Sequence, residues 1–179
     1  MNMKPNYHVH ESMYVEARQA GWEGWGGNER MSKAVIVERF LDLCDRPKQG
    51  KLLELGCGEG HHCRAFQKLG FEVTGIDISP TAIAWAKEKA KATGIEGKYY
   101  TADLTVESFQ LPERYDVVID GNCLHCIIGA DRAYSWIMFT VIYLKVVFFL
   151  SVACVLKMKI AMKLIGIAVH IVTLPLKVV

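Results

Sequence analysis

The sequence predicts an α/β fold in which an open parallel sheet carries helices on both faces. Short apolar runs alternate with helical patterns between residues 51 and 120, and this alternation is typical of βαβ units. The first run, 51–55, passes into a turn with glycines at alternate positions, Gly56, Gly58 and Gly60, and then into a helical pattern. A strand, a tight turn and a helix N-terminus are therefore expected at the start of the domain.

The remaining elements of the body follow in order. Helices are predicted at 31–44, 63–69 and 80–93, and strands at 71–78, 98–103 and 115–120. Gly70 and Gly94 close two of the helices, because glycine adopts the left-handed conformation that ends a helix. The strand at 115–120 is apolar on both faces, as expected for a buried parallel strand. Before these elements, residues 1–50 are expected to form an N-terminal lid and a lead-in helix.

The glycine turn is the first feature that indicates a chemical function. Glycine allows backbone angles that other residues avoid and lets a ligand approach closely. The N–H groups of the following helix carry partial positive charge, which suits an electron-rich ligand group. The glycines are not spaced as in the dinucleotide fingerprint G-x-G-x-x-G, since His61 stands where the sixth position would need glycine.

Asp77 ends the second strand, 21 residues after Gly56. A carboxylate at this place accepts hydrogen bonds from ribose hydroxyls in nucleotide-type cofactors. Capping of the next helix is the alternative role for Asp77. Ser79, followed by Pro80 at the first helical position, is available for capping, so the ribose role is favoured.

The run that begins at Glu54, E-L-G-C-G-E-G, resembles motif I of the class I S-adenosylmethionine-dependent methyltransferases, and the resemblance covers residues 51–132. It implies a Rossmann-like sheet, S-adenosylmethionine as cofactor, S-adenosylhomocysteine as product and a small-molecule methyl acceptor. It also implies a set of cofactor-binding residues: Glu54, Gly56, Cys57, Gly58, Gly60, Asp77, Ile78, Asp103, Leu104, Asp120 and Asn122.

Individual roles also follow from the resemblance. Asp103 is expected to meet the adenine amino group, with Leu104 beside the ring; a turn-initiating aspartate is the alternative. The loop after Asp120 is expected to flank the methionine part of the cofactor and the reacting methyl group. His125, in this loop, is the candidate base for an acceptor that must lose a proton. Among the N-terminal aromatic residues, Tyr14, Trp22 and Trp25 either line the acceptor pocket or serve in packing, and packing is favoured.

Two other functions use some of the same residues. Cys123 and Cys126, with His125 between them, could join the cysteines and histidines at 57–63 in a zinc site, or could form a redox pair. Neither reading explains Asp77 or Asp103, so no metal is expected. An NAD(P)-dependent oxidoreductase would share Asp77, but the glycine spacing and Glu54 argue against it.

Charge divides the chain at about residue 133. Residues 1–133 contain 16 of the 21 Lys and Arg and all 19 Asp and Glu, a net charge of −3, whereas residues 134–179 contain five lysines and no acid. The body shows no basic cluster that would indicate nucleic acid. The N-terminus has no signal-peptide pattern, so the body is expected in the cytoplasm with its six cysteines reduced.

The tail, residues 134–179, is expected to differ from the body, 51–133. No glycine stands between Gly129 and Gly166, which predicts that the sheet is incomplete after four strands. The apolar run 134–156 is long enough for a membrane-spanning helix, although a body on the cytoplasmic side would leave lysines outside, against the usual tendency. Two alternatives remain for the tail. It is the translation of a shifted frame, an unspliced segment or a broken gene, which is favoured, or it is a buried helix or strand pair that completes the sheet. A non-catalytic remnant or a membrane-tethered module is the corresponding alternative function.

Overall fold

The structure is a computed structural model that describes residues 5–27, 35–106, 109–110, 113–132, 135, 148–151 and 170–173. Four helices in this part are α1 (Val9–Gln19), α2 (Val35–Leu41), α3 (His61–Lys68) and α4 (Pro80–Thr93). Six strands are β1 (Gly50–Leu55), β2 (Phe71–Asp77), β3 (Lys98–Thr101), β4 (Val117–Asp120), β5 (Phe148–Ser151) and β6 (His170–Thr173). The predicted α/β class is confirmed.

The strands form one sheet in the order β3-β2-β1-β4-β5-β6, and every neighbouring pair is parallel. Strand β1 lies between β2 and β4, and the chain reverses its direction of travel across the sheet at this point. The register pairs Leu55 with both Ile76 and Asp120. The carboxyl ends of β1, β2 and β4 therefore lie side by side, where open α/β sheets bind their ligands.

Apolar side chains cover both faces of the sheet because buried parallel strands carry them on both sides. On one face, Phe40 of α2 and Phe66 of α3 pack edge to face with ring centroids 5.1 Å apart, above Leu52. On the other face, Leu53 and Leu55 pack in a second cluster. These two layers hold the strand ends in fixed positions relative to one another.

The crevice lies at the carboxyl ends of β1, β2 and β4. Helix α1 packs on α4, on the side of this crevice next to β2. Tyr14 and Ala17 of α1 contact Ala82 and Trp85 of α4. The guanidinium of Arg18 lies 5.5 Å from the centre of the Trp85 ring, and a salt bridge of 2.7 Å joins Arg18 to Glu88. The N-terminal region is thus a fixed part of the domain.

The tail differs from the prediction at two places. Phe148–Ser151 and His170–Thr173 are strands that extend the sheet beyond β4, so the prediction of a sheet that stops after four strands was wrong. Short apolar runs such as V-V-F-F-L-S-V suit a buried strand as well as a helix, and periodicity does not separate the two. The first strand also interrupts the proposed membrane helix at 134–156, whose other residues, apart from Ser135, lie outside the described part.

Within the described ranges, none of the helices is both long and apolar enough to cross a bilayer.

Candidate functional site

The glycine turn has the conformation that its spacing predicts. Gly56, Gly58 and Gly60 have φ angles of 64°, 56° and 77°, a region that side chains with a Cβ rarely adopt. Space is also limited, since a Cβ on Gly58 would lie 2.6 Å from the hydroxyl of Tyr14, and one on Gly56 would lie 2.6 Å from the Cβ of Cys123. The turn therefore brings α1 and the loop after β4 close to the same stretch of backbone.

Asp77 joins the glycine turn to the start of α4. Its Oδ2 accepts a hydrogen bond from the N–H of Gly58 at 2.9 Å, and its Oδ1 accepts one from the N–H of Ser79 at 2.9 Å. Burial raises the pKa of Asp77, while these two N–H groups act to lower it. Ser79 caps α4 through its hydroxyl, which accepts from the N–H of Ala82, as predicted. Asp77 is held at the crevice edge, and each of its oxygens retains a second lone pair.

Helix α1 is fastened on both sides of the crevice. The Glu11 carboxylate accepts hydrogen bonds from the hydroxyls of Ser79 and Thr81 at the start of α4. On the other side, the Tyr7 hydroxyl donates to Asp131 at 3.1 Å and accepts from the N–H of Ile128 at 3.1 Å. The segment from Tyr7 to Glu11, which includes the start of α1, therefore joins the two sides of the crevice, and we call it the cover.

The three N-terminal aromatic residues differ in their surroundings. Tyr14 is buried against α4 with its hydroxyl at the glycine turn. Trp25 packs against the same cluster as Trp85, which agrees with the packing role. Trp22 is 46% exposed.

Asp120, at the end of β4, organises the loop that follows. Its side chain is fully buried, and Oδ1 accepts from the N–H groups of Cys123 at 2.8 Å and Leu124 at 3.0 Å. The loop turns at Asn122, which has a φ of 83°; asparagine tolerates this left-handed conformation better than most residues. Asp120 and Asn122 thus shape the loop that faces the glycine turn.

Asp103 and Ile78, at the carboxyl-end edge of the sheet, are half-buried, whereas Leu104 is buried. Asp103 accepts hydrogen bonds at Oδ1 from the N–H and the hydroxyl of Thr105, which is the turn-forming role considered as the alternative. Leu104 is buried in the cluster that contains Leu53, and Ile78 is half-buried directly after β2. The adenine-binding roles of Asp103 and Leu104 stay predictions.

Glu54 has partners that the sequence analysis did not foresee. Its Oε1 lies 2.8 Å from Nδ1 of His62, and its Oε2 lies 3.0 Å from the thiol of Cys63. Both partners stand on the first turn of α3. The sequence did contain an indication of these contacts. Residues 61–63 follow the glycine turn directly, and a tight turn places the start of helix α3 close to the end of strand β1.

The candidate base and the cysteines are spread along the crevice. His125 is exposed, with its Nε2 3.4 Å from the thiol of Cys126, and its carbonyl accepts from Arg132 at 3.0 Å. Burial raises the pKa of the Cys57 thiol to about 11. In the described part of the chain, no three His, Cys, Asp or Glu side chains lie close enough together to hold a metal ion.

The sequence of residues 52–138 matches a family model described as "Methyltransferase domain". The ubiquinone biosynthesis O-methyltransferase of Schizosaccharomyces pombe is 33% identical over 104 residues, which cover 54% of this chain and 38% of that protein. The 18S rRNA (guanine-N(7))-methyltransferase bud23 of the same species is 30% identical over 129 residues, or 72% of this chain and 47% of that protein. The chain thus spans less than half the length of either relative.

Solved structures agree on the fold. One comes from work on the conversion of a disulfide bond into a thioacetal group during echinomycin biosynthesis. It has a TM-score of 0.59 and 25% identity, and the match covers 96% of this chain and 73% of that chain. A TehB-like SAM-dependent methyltransferase from Corynebacterium glutamicum has a TM-score of 0.50 and 23% identity, covering 71% of this chain and 62% of that chain. The second likeness supports the fold alone.

The site fits an adenosyl sulfonium compound. Asp77 offers acceptor lone pairs for ribose hydroxyls, and the buried carboxylates of Glu54, Asp77 and Asp120 give the strand ends negative charge that suits a cation. The fold and this edge define a cofactor-binding domain for a nucleotide-type ligand. Residues 52–138 match the methyltransferase-domain family, and this match supports a class I S-adenosylmethionine-dependent methyltransferase.

Proposed function

We propose that the chain transfers the methyl group of S-adenosylmethionine to a small-molecule acceptor. The observation that carries this proposal is the arrangement at the ends of β1 and β2, where the Gly58 N–H and the Asp77 carboxylate lie 2.9 Å apart beneath helix α1. A ligand with ribose hydroxyls and a positive sulfur is complementary to this edge.

Each part of the crevice has a task in this proposal. Asp77 accepts hydrogen bonds from the ribose, and the glycine turn allows the ligand to lie against the backbone. Helix α1, fastened through Glu11 and Tyr7, excludes water from the reacting groups. The bound cofactor supplies an electrophilic methyl group. The protein then has to hold the acceptor atom in line with it.

The acceptor is proposed to be a small molecule and not RNA. Residues 1–133, which contain the whole crevice, carry a net charge of −3, and a surface of this sign repels phosphate groups. Ubiquinone biosynthesis O-methyltransferases from several organisms also match, including one of Rhodopseudomonas palustris at 41% identity over 69 residues. A phenolic or catecholic hydroxyl is therefore the first acceptor to test.

The test uses the full chain and S-adenosylmethionine labelled in the methyl group. We expect label to appear on 3,4-dihydroxybenzoate, a catechol probe, and not on purified 18S rRNA. Label on the RNA alone would contradict the small-molecule acceptor. Binding of S-adenosylhomocysteine without transfer to either probe would contradict the catalytic proposal and would indicate a non-catalytic remnant.

A further inference from the structure

The side chains of Glu54 and His62 form a pair at the crevice, between β1 and the loop after β4. We propose that His62 is the general base of the methyl transfer and that Glu54 is its positioning residue; this inference rests on the proposed function. It assigns to Glu54 a role through His62 in place of a direct contact with the cofactor.

The contacts of Glu54 fix the orientation of the imidazole. Nδ1 of His62 lies 2.8 Å from Oε1, and Oε2 lies 3.0 Å from the thiol of Cys63, so each carboxylate oxygen has a partner on α3. We assign the proton of the neutral ring to Nδ1, since a carboxylate that is ionised only accepts hydrogen bonds. The lone pair is then on Nε2, the nitrogen that would receive a proton.

Burial makes the carboxylate an effective partner for a protonated ring. The Glu54 side chain is 2% exposed and that of His62 is 24% exposed. A buried carboxylate stabilises an imidazolium more strongly than an exposed one, because water screens the charge less. The ring is only partly exposed to solvent. The pair therefore combines a fixed imidazole with an accessible edge.

The pair lies beside the loop that follows β4. A Cβ on Gly121 would lie 2.8 Å from Oε1 of Glu54 and 3.5 Å from Nδ1 of His62. Gly121 is the first residue after β4, and its loop faces the glycine turn. The resemblance places the reacting methyl group beside this loop. Only glycine leaves room there for the carboxylate.

The chemistry balances without any further reagent. The acceptor O–H bond breaks, its proton passes to Nε2 of His62, and the oxygen electron pair forms the bond to the methyl carbon. The carbon–sulfur bond breaks with its electrons going to sulfur, and the imidazolium is left paired with the Glu54 carboxylate. The proton returns to solvent after product release.

His125 provides the internal comparison. Its ring is exposed, and its Nε2 lies 3.4 Å from a thiol, which is a weak hydrogen-bonding partner. A ring in this setting is less well oriented than one held by a buried carboxylate. His62→Asn keeps a side-chain N–H for Glu54 and removes the base, and its matched control is His8→Asn, at an exposed position before α1.

The first experiment needs no turnover. Nitrogen-15 NMR of the histidine rings, in the full chain with S-adenosylhomocysteine bound, is expected to show His62 protonated at Nδ1 and unprotonated at Nε2. Glu54→Gln should convert this signal to a mixture of tautomers, because an amide can donate as well as accept. A proton on Nε2 of His62 in the wild-type chain, or an unchanged signal in Glu54→Gln, would overturn the pair.

The second experiment separates binding from proton transfer. With the catechol probe, His62→Asn is expected to lower turnover by about 100-fold or more, while calorimetry finds its affinity for S-adenosylhomocysteine within about threefold of wild type. His8→Asn should change both within about threefold. Unchanged turnover in His62→Asn, or equal losses of turnover and affinity, would contradict the role of His62 as the general base. A wild-type chain that does not bind S-adenosylhomocysteine would instead refute the proposed function.

Discussion

The two sides of the crevice carry similar carboxylates with different partners. On the β2 side, Asp77 connects separate elements, because it accepts from Gly58 of the glycine turn and from Ser79 before α4. On the β4 side, Asp120 accepts from two N–H groups of its own loop, those of Cys123 and Leu124. Asp77 thus joins the glycine turn to the start of α4, whereas Asp120 fixes the backbone of its own loop.

This difference predicts separate consequences for mutation. Changes on the β2 side should act on cofactor affinity, since the proposed function places Asp77 and the glycine turn against the ligand. Changes on the β4 side should act mainly on folding, since Asp120 is fully buried and satisfies buried N–H groups.

The largest effect is expected for Asp120→Ala. The substitution leaves the N–H groups of Cys123 and Leu124 without their acceptor in a buried place, which costs about 3 kcal/mol in the free energy of unfolding. Chemical denaturation measures the change. Asp120→Asn is the control, because its remaining carbonyl oxygen can accept both bonds. A loss below about 1 kcal/mol in Asp120→Ala would remove the folding role.

Gly58→Ala sharpens the comparison from the other side. Alanine at this position would have to adopt a φ of 56°, and its Cβ would lie only 2.6 Å from the Tyr14 hydroxyl. We therefore expect the turn to be displaced. We expect about 50-fold weaker binding of S-adenosylhomocysteine by calorimetry, since the left-handed conformation alone costs about 1–2 kcal/mol with a Cβ. Tyr14→Phe combined with Gly58→Ala should recover part of the loss by removing the colliding oxygen. Wild-type affinity in Gly58→Ala would show that the turn is not part of the ligand site.

Glu11→Gln tests how the cover is fastened. Burial acts to raise the pKa of Glu11, but the hydrogen bonds from Ser79 and Thr81 outweigh it and lower the pKa. The ionised group therefore stabilises the fold above its unfolded pKa, and the contribution is lost as pH falls through the lower folded value. At pH 7 we expect a loss of about 1 kcal/mol in unfolding free energy. Glu16→Gln, on the exposed part of α1, should be neutral; equal stability of both variants would exclude the contact.

The smallest effect concerns Glu59, beside the glycine turn. Burial raises its pKa, and its Oε1 lies 3.7 Å from Nη2 of Arg64. A raised pKa means that the stabilising contribution is complete below the unfolded pKa and is lost as pH rises through the folded one. Glu59→Gln should therefore be about 1 kcal/mol more stable than wild type at pH 7 and indistinguishable from it at pH 4. Thermal unfolding at the two pH values measures the difference in stability. A Glu59→Gln variant that is less stable than wild type at pH 7 would contradict the prediction.

The sequence predicted the body of the fold because its signals are local. Helix α4 begins and ends at the predicted residues, since Ser79, Pro80 and Gly94 mark both ends. Strand β4 is shorter than predicted and begins at Val117, because an apolar run does not mark where pairing starts. The strands at 148–151 and 170–173 were expected only as an alternative, since few turn residues separate them. Their pairing is also not local, because β5 pairs with β4 and β6 pairs with β5.

The candidate site was predicted in outline and missed in detail. The glycine turn and the strand-end carboxylates follow from spacing, so the sequence brings Gly58, Asp77 and Asp120 to one edge. The contacts of Glu11 with Ser79 and of Tyr7 with Asp131 span 68 and 124 residues, and no pattern in the chain indicates them. The pairing of Glu54 with His62 spans only eight residues, but it requires the turn geometry that the structure supplies.

Titration calorimetry with S-adenosylhomocysteine tests the central claim most directly. The account predicts that the full chain binds this compound, that Asp77→Ala weakens binding by about 10-fold or more through lost hydrogen bonds to the ribose, and that exposed Glu96→Ala does not. Absence of binding heat with folded wild-type protein, or equal affinity in Asp77→Ala, would contradict the account.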